Sequence, residues 1–295
     1  MENALSGKTY VITGATSGIG QAAAAQLAAQ GAFVIGVGRS TERNQAAEKQ
    51  IRAAYPEARV EYCLADLTLQ SEVHQLADAI QKKLAEADIS ALDGLINNAG
   101  MFSAWYTQTA EGFQVVWALN HLAPFLLTYR LLPLLKAAPM GRVVTVSSCS
   151  HNLARFRWND VQLRRFYNGL SSYKQSKMAN VLFTAELNRR LGAQSTLRAF
   201  AADPGLVKTD IAFKGTPGFV QLIWKFRRNA GISAEESARG VVFLATEPSI
   251  QNRTEVYWKH SSPKKPDGYA LKEANGKRLW AISEQQCGIK TEGQL

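Results

Sequence analysis

Thr9-Tyr10-Val11-Ile12-Thr13-Gly14-Ala15-Thr16-Ser17-Gly18-Ile19-Gly20 is the stretch on which the fold turns. A β-branched apolar run passes directly into a glycine-rich turn, and a helical period opens where the turn ends. Bare backbone N–H groups at such a turn, aided by the positive end of the helix dipole, can receive a pyrophosphate. The last glycine lets helix and strand pack closely. Gly14, Thr16, Ser17, Gly18, Ile19 and Gly20 are therefore candidate dinucleotide contacts. The spacing is Gly-x-x-x-Gly-x-Gly, not Gly-x-Gly-x-x-Gly. An ordinary tight loop could carry it too, although its place after the first strand favours the phosphate.

Outward from this turn, short β-branched runs alternate with longer helical periods. Strands are predicted at Thr9–Thr13, Phe33–Val37, Arg59–Leu64, Gly94–Asn97, Arg142–Ser147, Leu197–Ala202 and Glu255–Lys259. Helices are predicted at Ile19–Gln30, Thr41–Ala54, Leu69–Ala87, Gly112–Leu135 and Ser172–Leu191. Such alternation implies an α/β fold: a doubly wound parallel sheet of about seven strands with helices on both faces. No repeat, low-complexity tract or linker divides the chain, so residues 1–295 are read as one domain. Ligands of such sheets bind beyond the carboxyl ends of the strands, where strand order reverses.

The second strand ends in Val37-Gly38-Arg39-Ser40. An acidic residue here would accept from a ribose 2′-hydroxyl. Arg39, with Arg43 a turn further on, instead suits a 2′-phosphate, unless both are simply exposed at a helix start. After the third strand Asp66, followed by Leu67, either accepts from an adenine amino group or caps the next helix. The fourth strand delivers Asn97-Asn98-Ala99-Gly100, small and polar, suited to backbone contact with a ribose. The fifth runs into Ser147-Ser148. Tyr173 and Lys177, four apart, share one helix face. An ammonium beside a phenol favours the phenolate and lowers a pKa otherwise near about 10, giving a usable proton donor and acceptor. A surface helix could carry the same pair. Of the nine tyrosines, Tyr173 alone has lysine at the fourth position after it.

Taken in order, Thr13–Gly20, Asp66, Asn97–Gly100, Asn120, Ser148, Tyr173 with Lys177, and Asp203-Pro204-Gly205-Leu206-Val207-Lys208-Thr209 resemble the short-chain dehydrogenase/reductase family. The resemblance runs from about Ser6 to about Cys287. It implies a Rossmann-type fold, an NADP(H) cofactor and a catalytic set of Asn120, Ser148, Tyr173 and Lys177. Tyr173 would exchange a proton with the substrate oxygen; Lys177 would lower its pKa and bind the nicotinamide ribose. Ser148 would donate to the substrate oxygen, and Asn120 would hold the helix and water linking Lys177 to solvent. Gly14, Gly18 and Gly20 would cradle the pyrophosphate, Asp66 would meet the adenine and Asn97 the adjoining ribose. Val207 and Thr209, in one loop with Pro204 and Gly205, would position the carboxamide.

Ser148 and Tyr173 are 25 apart, longer than in most members, so His151–Leu170 is expected to fold over the site. Asn120-His121-Leu122, Ala179–Phe183 and Arg278-Leu279-Trp280 resemble the retinol dehydrogenase-like branch, which implies an apolar aldehyde, ketone or alcohol as substrate. Two alternatives use related parts: reduction of a carbon–carbon double bond, as in protochlorophyllide reductase, or a non-catalytic NADP(H)-sensing protein. Asn97–Gly100 and the retinol dehydrogenase-like tail favour carbonyl chemistry over the double bond, and the intact Asn120, Ser148, Tyr173 and Lys177 set argues against a sensor.

Composition bounds the rest. With 295 residues, 46% hydrophobic and 20% charged, the chain is neither disordered, collagen-like nor disulfide-stapled. Cys63, Cys149 and Cys287 are far apart and suit a reducing compartment. With no signal peptide or spanning run read, a cytoplasmic address is expected. The greasy stretch Ala118–Leu135 is read as a buried helix pair. The four histidines lack metal-ligand spacing, so no metal is assigned. Residues 1–147 hold 11 Lys/Arg against 12 Asp/Glu, and residues 148–295 hold 23 against 12. That asymmetry suits a solvated basic surface that steers an anionic cofactor; no nucleic-acid recognition motif accompanies it. Around 211–231 a Gly/Pro hinge precedes an aromatic, basic stretch at 219–228. It is read as a substrate lid, with a core helix or a weak membrane contact as alternatives. Residues 260–295 are read as a tail, and pairing into a homo-oligomer is a family-implied expectation.

Overall fold

The computed structural model describes residues 3–207 and 231–290. One eight-stranded sheet runs through it in the order β3-β2-β1-β4-β5-β6-β7-β8. The strands are β1 Thr9–Thr13, β2 Phe33–Gly38, β3 Val60–Leu64, β4 Gly94–Asn97, β5 Arg142–Val146, β6 Arg198–Asp203, β7 Tyr257–Lys259 and β8 Ser262–Pro263. All neighbours pair parallel except β7 with β8. The expected sheet of about seven strands is found with eight, the last being short. This last strand is two residues long and ends in a proline, which offers no ladder donor, so it closes the sheet edge rather than extending it.

Seven helices cover the sheet among the described residues: α1 Gly18–Ala28, α2 Thr41–Ala54, α3 Gln70–Glu86, α4 Val115–Ala137, α5 Gly169–Leu191, α6 Ala234–Thr246 and α7 Glu273–Cys287. Successive strand residues point to opposite faces. Val11 of β1 joins the core shared with α3, α4, α5 and α7, while Tyr10 and Ile12 join the core under α1, α2 and α6. Both faces being covered, β1 and β2 are buried along their whole length.

The stretch expected as a helix pair is one helix, α4, with a single π-helical turn at Ala118–Leu122. By length and composition α4 could cross a membrane, but 78% of its most apolar window is buried within the protein. Residues 260–290 are an ordered edge strand and helix, not a trailing tail. Helices α6 and α7 have no counterpart among the sequence-based expectations. The proposed lid and the 219–228 stretch lie outside the described residues.

Candidate active site

Strand order reverses between β1 and β4, and the predicted residues gather at that end of the sheet. Gly14 adopts φ +66°, in the left-handed region, and a side chain on Gly20 would meet the Gly14 carbonyl at 2.3 Å. The turn is tied to the end of β4 by side-chain bonds of Thr13 and Asn98 that the motif spacing does not predict. Thr13 Oγ1 accepts from the N–H groups of Asn98 and Ala99, each at 3.0 Å, and Asn98 Nδ2 donates to the Thr13 carbonyl at 2.9 Å. Ser17 precedes α1 without a capping hydrogen bond, and the first turn of α1 carries no acidic residue. Leading amides under so little local competition fit a pyrophosphate, as does a turn with no room for a side chain at Gly20.

At the end of β2, Arg39 and Arg43 are both exposed. The nearest acid, Glu42, is engaged by Ser40 Oγ at 2.6 Å, and Ser40 Oγ also accepts the Arg43 N–H to cap α2. Asp66 is partly buried; its Oδ1 accepts the Thr68 N–H at 3.0 Å in a tight turn. It does not cap α3, so that alternative is set aside. Glu111 does, accepting from Gln70 N at 2.6 Å and from Ser71 N and Oγ at 3.0 and 2.7 Å. The Asn97 side chain is buried; its Nδ2 donates to Thr128 Oγ1 at 3.1 Å, and its Oδ1 has no protein partner among the described residues. Leu67, Asn97 and Ala99 line one small cavity with Thr13 and α4.

Asn120 occupies the π-helical turn and is completely buried. Its Oδ1 accepts from Met101 N at 2.8 Å, and its Nδ2 donates to Met101 O at 2.9 Å and Ser176 Oγ at 3.0 Å. It thus clamps the segment after β4 to α5, one residue before Lys177. A side chain on Gly100 would lie 3.4 Å from Asn120 Oδ1 and 3.5 Å from Lys177 Nζ, which brings three separately predicted groups to one place.

The two serines after β5 part company. Ser147 is buried and its hydroxyl donates to the Lys177 carbonyl at 2.9 Å. Ser148 is half-buried, its hydroxyl set beside the Tyr173 phenol and accepting the Ser150 N–H at 3.2 Å. Lys177 Nζ lies 5.6 Å from the Tyr173 ring centre and donates to the Val146 carbonyl at 2.9 Å.

One expectation is corrected here. The Tyr173 phenol is pushed up to about 12, chiefly by burial; the Ser148 hydrogen bond opposes this, and Cys149 and Asp203 add to it. Burial brings the Lys177 ammonium down to about 8. Desolvation of both groups outweighs the lowering expected from the ammonium, whose Nζ is turned to a backbone carbonyl.

Beyond β6, Asp203 Oδ1 accepts the Gly205 N–H at 3.0 Å, and Ser237 Oγ holds the Pro204 carbonyl at 2.9 Å. Val207 bridges to Ile232. Thr209 lies outside the described residues. The His151–Leu170 segment, expected to fold over the site, packs on α5: Gln175 is buried, accepting from Arg157 N at 3.1 Å and donating to Val161 O at 2.6 Å. Phe102 meets the Tyr173 ring edge-on at 6.2 Å and lends the site an apolar wall.

Comparisons place this arrangement among known proteins. The family model described as short chain dehydrogenase matches residues 8–217. Retinol dehydrogenase 12 of Homo sapiens is 33% identical over 288 residues, covering 98% of this chain and 89% of the relative. Retinol dehydrogenase 14 of Mus musculus is 35% identical over 298 residues, covering 96% and 86%. The crystal structure of an uncharacterized protein from Mycobacterium paratuberculosis is 33% identical, with TM-score 0.75 and 98% of each chain covered. A short chain dehydrogenase from Shigella flexneri, solved in complex with NADP, shares the fold at TM-score 0.69 and 23% identity, over 88% of this chain and all of that one. The chain belongs to the short-chain dehydrogenase family and is an oxidoreductase related to the retinol dehydrogenases.

Proposed function

We propose that the protein interconverts an apolar aldehyde or ketone and its alcohol with NADP(H) as cofactor. The observation that carries this reading is the Ser148–Tyr173 hydroxyl pair beside Lys177, at the carboxyl end of β5 and against the apolar wall of Phe102. A nicotinamide bound there would supply or accept the hydride. A phenol pushed up to about 12 keeps its proton through the neutral range, the form that protonates a carbonyl oxygen in the reducing direction. Ser148 Oγ donates to the same oxygen and orients it. Lys177 sits where it can bind ribose hydroxyls, and Asn120 fixes the Met101 and Ser176 groups around it.

The preference for the phosphorylated cofactor rests on Arg39 and Arg43 standing where an acid would select NAD. Gly14 and Gly20 would let the pyrophosphate approach, Asp66 would face the adenine, and the Pro204–Val207 loop the carboxamide. The apolar substrate class draws on Phe102 and on the retinol dehydrogenases among the relatives.

The test is oxidation of NADPH and NADH against a panel of apolar aldehydes and ketones, retinal included, with Tyr173→Phe alongside. Multiple turnover with NADPH should fall by about 10²-fold or more in the variant while NADPH still binds. Tight NADPH binding with no turnover on any carbonyl would refute the reading. Arg39→Asp should shift the preference toward NADH, and an unchanged ratio removes Arg39 from that role.

A further inference from the structure

His151 is fully buried three residues beyond Ser148. It stands in the short 3-10 turn Cys149–His151 that follows β5. The Asp267 backbone N–H donates to its Nε2 at 3.3 Å. A ring nitrogen that accepts cannot carry a proton, so the proton sits on Nδ1. That nitrogen faces the Ser148 carbonyl at 2.8 Å, and the His151 backbone N–H reaches the same carbonyl at 3.1 Å. Both acceptor positions of the Ser148 carbonyl are therefore filled by one residue.

The ring is fixed on every side. It packs 4.6 Å from Tyr257, whose hydroxyl donates to Asp203 Oδ2 at 2.8 Å. Asp267 is held in turn, its carboxylate accepting from Leu153 N at 2.9 Å, Arg155 at 3.1 Å and Tyr269 N at 2.8 Å. The imidazole thus ties the peptide of the substrate-facing serine to the segment leading into α7.

We propose that His151 is a positioning residue: its Nδ1–H holds the Ser148 peptide so that the Ser148 hydroxyl stays aligned with Tyr173, and Asp267 anchors the ring through Nε2. The kinetic part of this inference rests on the carbonyl-reductase reading. Neither ring nitrogen reaches the Tyr173 phenol in this arrangement, so the effect passes through Ser148.

Two substitutions separate the nitrogens. His151→Asn keeps a donor at the Nδ1 position and loses the group at Nε2. His151→Gln keeps an acceptor at the Nε2 position and loses the donor to Ser148. Carbonyl reduction by the full chain should lose about tenfold or more in kcat in His151→Gln, with KM for NADPH within about twofold. In His151→Asn kcat should stay within about threefold.

A second readout needs no substrate. Cys149 is exposed in the same turn, whereas Cys63 and Cys287 are buried. Reaction of Cys149 with an aromatic disulfide reagent should accelerate about threefold in His151→Gln and stay unchanged in His151→Asn, with the other thiols protected in both. The proposal is overturned if His151→Gln keeps wild-type kcat and thiol rate. It is equally overturned if only the Asn variant loses activity, which assigns the role to the Asp267 anchor. Parallel losses with Cys63 and Cys287 unmasked would make His151 a packing residue alone. Should the wild type turn over no carbonyl, the functional reading falls by itself, and the Cys149 rates still decide the role of His151.

Discussion

Ser147 and Ser148 share a residue type and sit side by side, yet burial and partners separate them. Ser148→Ala should cut kcat by about 10²-fold with little change in stability, as loss of a donor to the reacting oxygen does. Ser147→Ala removes a buried bond to the Lys177 carbonyl and should cost about 1–2 kcal/mol in urea unfolding with kcat near wild type. Reversed phenotypes would swap the roles.

Lys177 carries a second residue-scale prediction. Its folded pKa of about 8 lies below its ordinary 10.5, so the unfolded chain binds the proton more tightly. Stability due to this group is therefore lowest below pH 8 and rises as pH climbs toward 10.5. Above the ordinary tyrosine range the sign reverses, because Tyr10, Tyr62, Tyr173 and Tyr257 are all raised by burial and the unfolded chain ionises first. Lys177→Met should be more stable than wild type at pH 7 by on the order of 2–3 kcal/mol. That gap should close by about pH 10, and a gap constant across this range in urea titrations would refute it.

Tyr173 and Lys177 could be picked out from their shared helix face, whereas Asn120 and the role of Ser148 came from the family resemblance. What the spacing could not convey was desolvation, which set both pKa directions against simple Tyr–Lys pairing. Nor could it show that Thr13 and Asn98 join the first turn to the fourth, since that depends on two strands being neighbours.

At the scale of elements, α3 owes its start to a side chain far away in sequence. Three hydrogen bonds from Gln70 and Ser71 hold Glu111 below the ordinary carboxylate range, against the opposing effect of burial. Glu111→Ala should cost about 1–2 kcal/mol by urea unfolding near neutral pH. Because the folded pKa is depressed, this contribution is present above the ordinary carboxylate pKa and is lost as pH falls through the folded value. A variant equally destabilised at every pH would point to packing instead.

Helix α6 carries a signal that was there to be read. Ser233 and Glu236 have capping-box spacing, and Ser233 Oγ accepts the Glu236 N–H at 3.1 Å. Helix α7 has no such mark: Lys272 offers no side-chain cap, and Gly276 interrupts its period where the helix presses against Glu186. The π-helical turn was likewise invisible, because it is held by Asn120 reaching Met101 and Ser176 across the fold.

Across the whole molecule, the parallel sheet followed from alternation, but the number of strands did not. An edge of two residues leaves no period to detect. The contribution of α7 also appears only at this scale. Trp280 stacks on Phe183 at 5.9 Å and meets Phe125 edge-on at 4.9 Å, so it joins α4 to the helix bearing Tyr173 and Lys177. Ser283 Oγ reaches His121 Nε2 at 2.8 Å, and Gln286 accepts from Trp117 Nε1 at 2.8 Å. Trp280→Ala should destabilise the protein by about 3–5 kcal/mol in urea unfolding. A loss below about 1 kcal/mol would show that α4 and α5 hold together without it.

The position of α7 also bears on how the protein is made. A chain growing from its N-terminus completes the sheet order around β1 and β4 early. Helices α4 and α5, however, lack the Trp280 cover over Phe125 and Phe183 until Glu273–Cys287 has been translated. A ribosome stalled before that point would hold a nascent chain with its glycine-rich turn already synthesised and a sticky aromatic face still uncovered. That interval is when a chaperone would have most to shield, and when a truncated product would be cleared.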